Sequence, residues 1–431
     1  MMREYGIGLL GFGTVGAGVV QGLQENGPMI AERLGAKPVL RRIADLDIES
    51  DRGVAVDADI LTQDAESVIA DPDIQIILEL IGGTGVALDF TRKALAAGKP
   101  VVTANKALLA VHGDELFSLA RQNGTEIYFG ASVGGGIPIV RAMREGLIAN
   151  RIHSIHGILN GTCNYILTSM EEDGMAFDEA LSRAQELGFA EADPALDIDG
   201  KDTAHKAVIL GRLAYGFHAP LSDIIVEGIR SLSKNDIETA AGLGYRVKLL
   251  AIVRRIGDEV EVRVHPAMVP LDHMLASVRG VFNAVLVDGD MTGDTLYYGK
   301  GAGREPTAST VIGDIADIIR NLEGGSARRF PDANGASGTL TLRDAGDVKT
   351  RYYFRLSLLD APGTLASVVT VLGQHGISIA SVLQQETKAG DYVPVVIVTH
   401  EALSRACDAA IEAITALDVV GETPVRIRIE D

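Results

Sequence analysis

The six residues Gly11-Phe12-Gly13-Thr14-Val15-Gly16 constrain this chain more than any other stretch, because they stand between a short apolar strand-like run, residues 6–10, and a helical pattern. A GxGxxG turn in that setting gives close backbone approach to a ligand and opens a helix whose first N–H groups are unpaired. Those N–H groups and the positive end of the helix dipole suit a pyrophosphate. An acidic residue, Asp45, ends the next strand-like run about thirty residues past the glycines. A carboxylate there accepts hydrogen bonds from the adenosine ribose hydroxyls and repels a 2′-phosphate. Asp47 is the competing candidate. Arg41 and Arg42 lie just upstream, but alternation along a strand points their side chains elsewhere. The reading is a dinucleotide site with NAD favoured over NADP; the alternative is a tight strand-to-helix turn with no ligand.

The rhythm around this turn is that of βαβ units on a parallel sheet: residues 6–10, 39–45, 74–80 and 101–104 read as strands and 13–25 as a helix. We expect an α/β Rossmann domain over residues 1–130. From about residue 131 to 303 the pattern changes to helices (177–187, 201–215) followed by strands (247–254, 260–265, 284–288, 295–298), the order of an α+β domain with a mixed sheet. The helix expected at 304–322 carries one apolar stripe, Val311, Ile312, Ile315, Ile318, Ile319 and Leu322, that must dock somewhere, and we assign it to the first domain. Residues 323–348, rich in glycine and arginine, read as a linker. Residues 349–431 read strand, helix, strand, strand, helix, strand, a ferredoxin-like split βαβ that looks separable.

Composition narrows the function. With 39 Lys plus Arg against 58 Asp plus Glu among 431 residues, the net charge of −19 opposes binding to nucleic acid or anionic membranes. The longest apolar-rich stretch, 74–88, is too short and too interrupted to span a bilayer. No charged-then-apolar leader opens the sequence. Two cysteines, Cys163 and Cys407, far apart, give no disulfide framework and read as core thiols. A cytoplasmic protein is expected.

Six further passages, in order, carry a family resemblance. They are Thr103-Ala104-Asn105-Lys106, the glycine-rich run from Ala131 to Pro138, Ile158 to Ile166 with Asn160-Gly161-Thr162, Gly188 to Pro194, Asp197 to Lys206, and Gly301-Ala302-Gly303. With the fingerprint ahead of them they make the chain resemble homoserine dehydrogenase over nearly its whole length. The last module resembles an ACT domain, with Asp360-Ala361-Pro362-Gly363 as its first turn. No aspartate kinase region is expected before the dehydrogenase strand.

That resemblance implies NAD(P)-dependent interconversion of L-aspartate 4-semialdehyde and L-homoserine, on the route to threonine, isoleucine and methionine. Hydride addition to an aldehyde carbon requires a proton at its oxygen, and the substrate ammonium requires anions. The family pattern assigns Lys206 as proton donor, Asp202 and Glu191 as substrate ligands, and Lys106 as a neighbour of both nicotinamide and substrate. It places Gly11, Phe12, Gly13, Thr14, Val15, Gly16, Asp45, Thr103, Lys106, Gly188, Glu191 and Gly303 around the cofactor. Asp202 and Lys206, four apart on a helix, could otherwise be a surface ion pair. Family members also hold a monovalent cation, sodium or potassium, through backbone carbonyls that map to Gly130, Val133, Gly135 and Ile137. Here glycine stands at 130 where the family commonly has glutamate, and a plain glycine-rich hinge is the alternative. The acidic cluster Asp193, Asp197, Asp199 and Asp202 lacks the terminal carboxylates of a calcium loop. The ACT resemblance implies an amino-acid effector, threonine as the end product, and a homodimer or homotetramer. A different ACT-bearing dehydrogenase, or a sensor that has lost catalysis, are the competing readings.

Overall fold

A computed structural model describes residues 2–325, 340–384 and 392–430. Two compact units are present. The first comprises Met1–Gly161, His205–Ser222 and Phe282–Thr339; the second comprises Thr162–Ala204, Asp223–Val281 and Leu340–Asp431.

The first unit is organised by a six-stranded parallel sheet: β1 (Arg3–Leu10), β2 (Ala36–Ala44), β3 (Leu61–Thr62), β4 (Ile76–Glu79), β5 (Val101–Thr103) and β6 (Ile127–Tyr128), in the order β3-β2-β1-β4-β5-β6. This is the doubly wound order whose switch point lies between β1 and β4. Its central strands are mostly apolar because helices cover both faces; all four residues of β4, three of them apolar, are buried. The Thr14–Leu34 helix runs past residue 25, where the reading had it stop, and continues through Pro28 to a left-handed Gly35. Buried Ala31 and core-packed Leu34 anchor those last turns, and the lost hydrogen bond at one proline does not outweigh that packing.

The far helix, Arg304–Glu323, docks on this same core. Val311, Ile315, Ile318 and Ile319 join Ile7, Leu9, Val19 and Val20 in one cluster. Small residues let the helices approach closely: a Cβ on Gly18 would lie 2.8 Å from Arg304 Cγ, and one on Gly22 2.7 Å from Ile312 Cδ1. Three antiparallel strands, Ile152–Ile158, Phe282–Gly289 and Gly293–Lys300, complete the strands of this unit.

The second unit is built on the long antiparallel pair Tyr245–Ile256 and Glu259–Pro270. The four module strands lie in the order Val420–Ile429, Lys349–Leu359, Tyr392–Thr399, Ile379–Gln384, all antiparallel, with helices Thr364–Gln374 and Ser404–Thr415 between them in sequence. A core of their own includes Tyr352, Phe354, Val368, Leu372, Ile397, Cys407 and Ile414.

The module, read from the sequence as separable, is joined to neighbouring elements of its unit. Its last strand pairs in parallel with Glu259–Pro270, Ala267 opposite Arg428 and Met268 opposite Ile429. Glu430 meets the fully buried Arg263. Asp236, in a capping box with Ser233, also accepts from Tyr353 Oη at 3.0 Å and Arg355 Nε at 2.7 Å. Alternation within one strand carries no trace of such long-range partners. Of the expected linker, residues 326–339 lie outside the described residues; Thr341–Leu342 adds a short parallel pairing to the Glu259–Pro270 strand. Among the described residues no helix is long and apolar enough to cross a membrane.

Candidate active site

The glycine fingerprint divides its labour. Gly11 holds φ at +97°, and a Cβ there would sit 2.6 Å from the Leu80 backbone. Gly16 packs on the turn itself, its absent Cβ 2.3 Å from Gly11 O, whereas a Cβ on Gly13 would meet nothing within 4 Å. Gly13 thus presents an open backbone face. The helix that begins at Thr14 has neither a side-chain cap nor an acidic residue in its first turn. Its free N–H groups, with Val15 in that first turn, are left for an anion.

Asp45 sits where expected, just past β2, and also braces the fingerprint. Its carboxylate accepts from Phe12 N at 2.5 Å and from Asp47 N at 2.9 Å. Asp47 is spent on the Ser50 hydroxyl and amide, the Glu49 amide and Arg52, which hold its carboxyl below the ordinary range. Arg41 reaches Glu4 and Arg42 the Asp59 carbonyl. Arg304, which the sequence reading missed, lies beside Gly18 and Gly53 with buried Nε and Nη2 lacking any partner among the described residues. Unpaired guanidinium donors beside an anion-binding helix start fit a dinucleotide phosphate.

A buried carboxylate orders the far side of the crevice. Glu79, ending β4, accepts from Ile81 N, Gly82 N and Thr103 Oγ1, the last at 2.6 Å. Thr103 in turn accepts from Asn105 N, Asn105 Nδ2 donates to Gly83 O, and its Oδ1 caps the Lys106–Gln122 helix at Leu108 N. Lys106 therefore starts a capped helix at the C-terminal edge of a parallel strand, the ligand side of such sheets. An acid inside the apolar run before Ile81 was the signal for Glu79. Gly303, at φ +119°, opens the Arg304–Glu323 helix.

Asp202 and Lys206 fall one turn apart in the Lys201–Tyr215 helix and are only 4% and 7% exposed. Burial removes the surface-pair alternative. Lys206 Nζ donates to Leu159 O at 2.6 Å. In the second unit Gly188 turns the chain at φ +74° after the Phe177–Glu186 helix. Thr162 Oγ1 donates to Phe189 O at 2.5 Å, and the Phe189 ring packs 5.0 Å from Tyr165. Glu191 follows, exposed, with its carbonyl held by Gln185. The acidic neighbours are otherwise engaged: Asp193 accepts from Ala195 N and Asp199 pairs with Arg230. Among the described residues no group of three or more His, Cys, Asp or Glu could hold a metal ion.

The Gly130 to Ile137 turn is buried around Gly130, Val133 and Gly135. Gly130 N donates to Asp314 Oδ2 at 2.9 Å, and Gly135 O accepts from Thr310 Oγ1 at 2.7 Å. Loss of solvent pushes the Asp314 carboxyl up to about 7, with the Gly130 N–H pulling against it. Asp314 is thus engaged by the Gly130 amide, and Gly135 O by the Thr310 hydroxyl.

A doubly wound sheet with this fingerprint, a buried lysine one turn from a buried aspartate, and a ferredoxin-like module define a nicotinamide-dependent oxidoreductase with an ACT-type extension. Residues 11–130 match the NAD-binding domain of homoserine dehydrogenase, 138–316 the homoserine dehydrogenase domain, and 352–414 the ACT domain. The chain is 43% identical to homoserine dehydrogenase of Neisseria gonorrhoeae, covering 100% of this chain and 99% of that one. A crystal structure of a homoserine dehydrogenase from Thiobacillus denitrificans superposes with a TM-score of 0.94 at 42% identity, covering 100% and 99%. A hyperthermophilic archaeal homoserine dehydrogenase mutant in complex with NADPH matches at a TM-score of 0.64 and 28% identity, over 77% of this chain and 99% of that one. The chain belongs to the homoserine dehydrogenase family.

Proposed function

We propose that this chain oxidises and re-forms L-homoserine with Lys206 as the proton donor and acceptor. The observation that carries the assignment is Lys206 itself, a buried ammonium held by Leu159 O and set one turn from buried Asp202. When bound, the nicotinamide supplies or takes the hydride. In the reducing direction Lys206 gives a proton to the oxygen of aspartate semialdehyde as its carbon gains hydride; in the other it takes the hydroxyl proton back. Asp202 and Glu191 hold the substrate ammonium, and Lys106 polarises the reacting end. Thr103 shapes the cofactor crevice through Glu79, and Gly188 and Gly303 give backbone access. Neutralising Lys206 removes the acid while leaving the fold, so Lys206→Ala is expected to lower kcat by roughly 10²–10⁴ with NAD binding retained. Turnover near wild type would end the assignment.

NAD is favoured because Asp45 stands at the ribose position, and Arg304 meets the dinucleotide phosphates. Gly130, Val133, Gly135 and Ile137 supply carbonyls to sodium or potassium, with Asp314 balancing the charge. The domain limits proposed are those of the sequence reading: 1–130 with helix 304–322, 131–303, 323–348 and 349–431. The ACT module takes an amino acid, threonine by the logic of end-product control. Its outer strand, Ile379–Gln384, leaves Val382 and Leu383 exposed, which supports edge pairing between copies in a dimer or tetramer. The protein works in the cytoplasm, without nucleic acid or membrane partners.

A further inference from the structure

The module's last strand delivers two arginines to one carboxylate outside the module. Arg428 Nη1 donates to Glu227 Oε2 at 2.7 Å and Arg426 Nη2 to Glu227 Oε1 at 3.1 Å. Arg428 is 2% exposed. Both guanidinium groups also lie over the ring of Tyr352, at 6.0 and 5.7 Å, so the module's own core fixes the fork that grips Glu227.

Glu227 begins a bend that presses on the substrate segment. Its amide donates to Val264 O at 2.8 Å, tying it to the Glu259–Pro270 strand. A Cβ on the next residue, Gly228, would lie 2.1 Å from Ile198 O and 2.6 Å from Asp199 Cα, so two backbones touch there with no side chain between them. Ile229 N donates to Ile198 O at 2.8 Å. Gly200, in the left-handed region at φ +81°, has its open face 3.3 Å from Glu227 O. Two residues on is Asp202, in the first turn of its helix.

We propose that Glu227 is a positioning residue for the homoserine site: gripped by Arg426 and Arg428 of the module, it sets the bend on which the 198–202 turn rests and so fixes Asp202. The module's last strand then governs substrate affinity through backbone contact, and an effector that shifts this strand acts on KM for homoserine. The inference rests on the reading of Asp202 as a substrate ligand. A carboxylate gripped by two guanidinium groups is replaced most gently by its amide, which keeps the shape and removes the charge.

In the full chain, Glu227→Gln is expected to raise KM for homoserine about tenfold while kcat stays within about twofold and NAD affinity, read by fluorescence titration, stays at wild type. Amide exchange at residues 198–202 should quicken, and Glu227→Asp should recover part of the KM. Unchanged KM together with unchanged exchange overturns the proposal. So does a parallel fall in kcat, homoserine affinity and NAD affinity, which is the mark of general loosening. Asp202→Asn serves as the separate control on the underlying reading. If that variant keeps the wild-type KM, Asp202 is not a substrate ligand; faster exchange at 198–202 in Glu227→Gln still upholds the positioning, and unchanged exchange still overturns it.

Discussion

Lys248 shows how much of this molecule's electrostatics is spent on structure. It is 1% exposed, and its ammonium donates to Asn164 Oδ1 at 3.1 Å and to Val278 O. Burial lowers its pKa to about 8, against the pull of Glu171. Between pH 8 and the ordinary lysine value the folded chain holds fewer protons than the unfolded one, so stability rises with pH across that window. Below pH 8 the cost of burying the charge is fully present. Relative to Lys248→Met, the wild type should therefore gain up to about 3 kcal/mol between pH 7.5 and 10.5, measured by urea unfolding. A flat difference would mean that Lys248 does not titrate there in the folded state. Asp45, proposed for the cofactor ribose, carries the opposite kind of burden, since it also holds Phe12 N. Asp45→Ser should weaken NAD binding and admit NADP, since the charge that repels a 2′-phosphate is gone. Michaelis constants unchanged for both cofactors would remove Asp45 from the ribose site.

At the scale of elements, legibility followed the range of the forces involved. The Lys201–Tyr215 helix keeps its expected bounds, because its periodicity and the Gly200 turn before it are local signals. The strands were found but shortened: 247–254 is in fact Tyr245–Ile256, because ladder pairing with Glu259–Pro270 extends into polar residues such as Arg254 and Arg255. The parallel contact between Val420–Ile429 and Glu259–Pro270 was invisible, since nothing in either strand names a partner about 160 residues away. The same holds within the candidate site. Its fingerprint, Asp45, Lys106, Asp202 and Lys206 stand in motifs, whereas Glu79, Arg304 and Glu227 gain their meaning only from neighbours brought by the fold. Glu79 alone left a local trace, a carboxylate in an otherwise apolar strand.

For the whole molecule, the contacts of the ACT module predict that it does not detach as a regulatory appendage. It belongs to the same compact unit as Glu191 and Asp202. Ending the chain at Val348 would leave Arg263, 0% exposed, without Glu430, and Asp236, also 0% exposed, without Tyr353 and Arg355. Arg263 would keep Glu261, but surface that the module now covers would face water, and a domain's whole stability is only about 5–15 kcal/mol. Losing those partners together with the pairing at Ala267 and Met268 uncovers the edge of the Glu259–Pro270 strand. A chain truncated at Val348 is thus expected to lose its cooperative thermal transition and to aggregate on size-exclusion chromatography, not to remain an active enzyme freed from control. The proposed threonine control is accordingly tested on the full chain, as homoserine turnover with and without threonine. A truncated protein that melts within a few degrees of the full chain and keeps its turnover would show that these buried pairs contribute little and that the module is detachable after all.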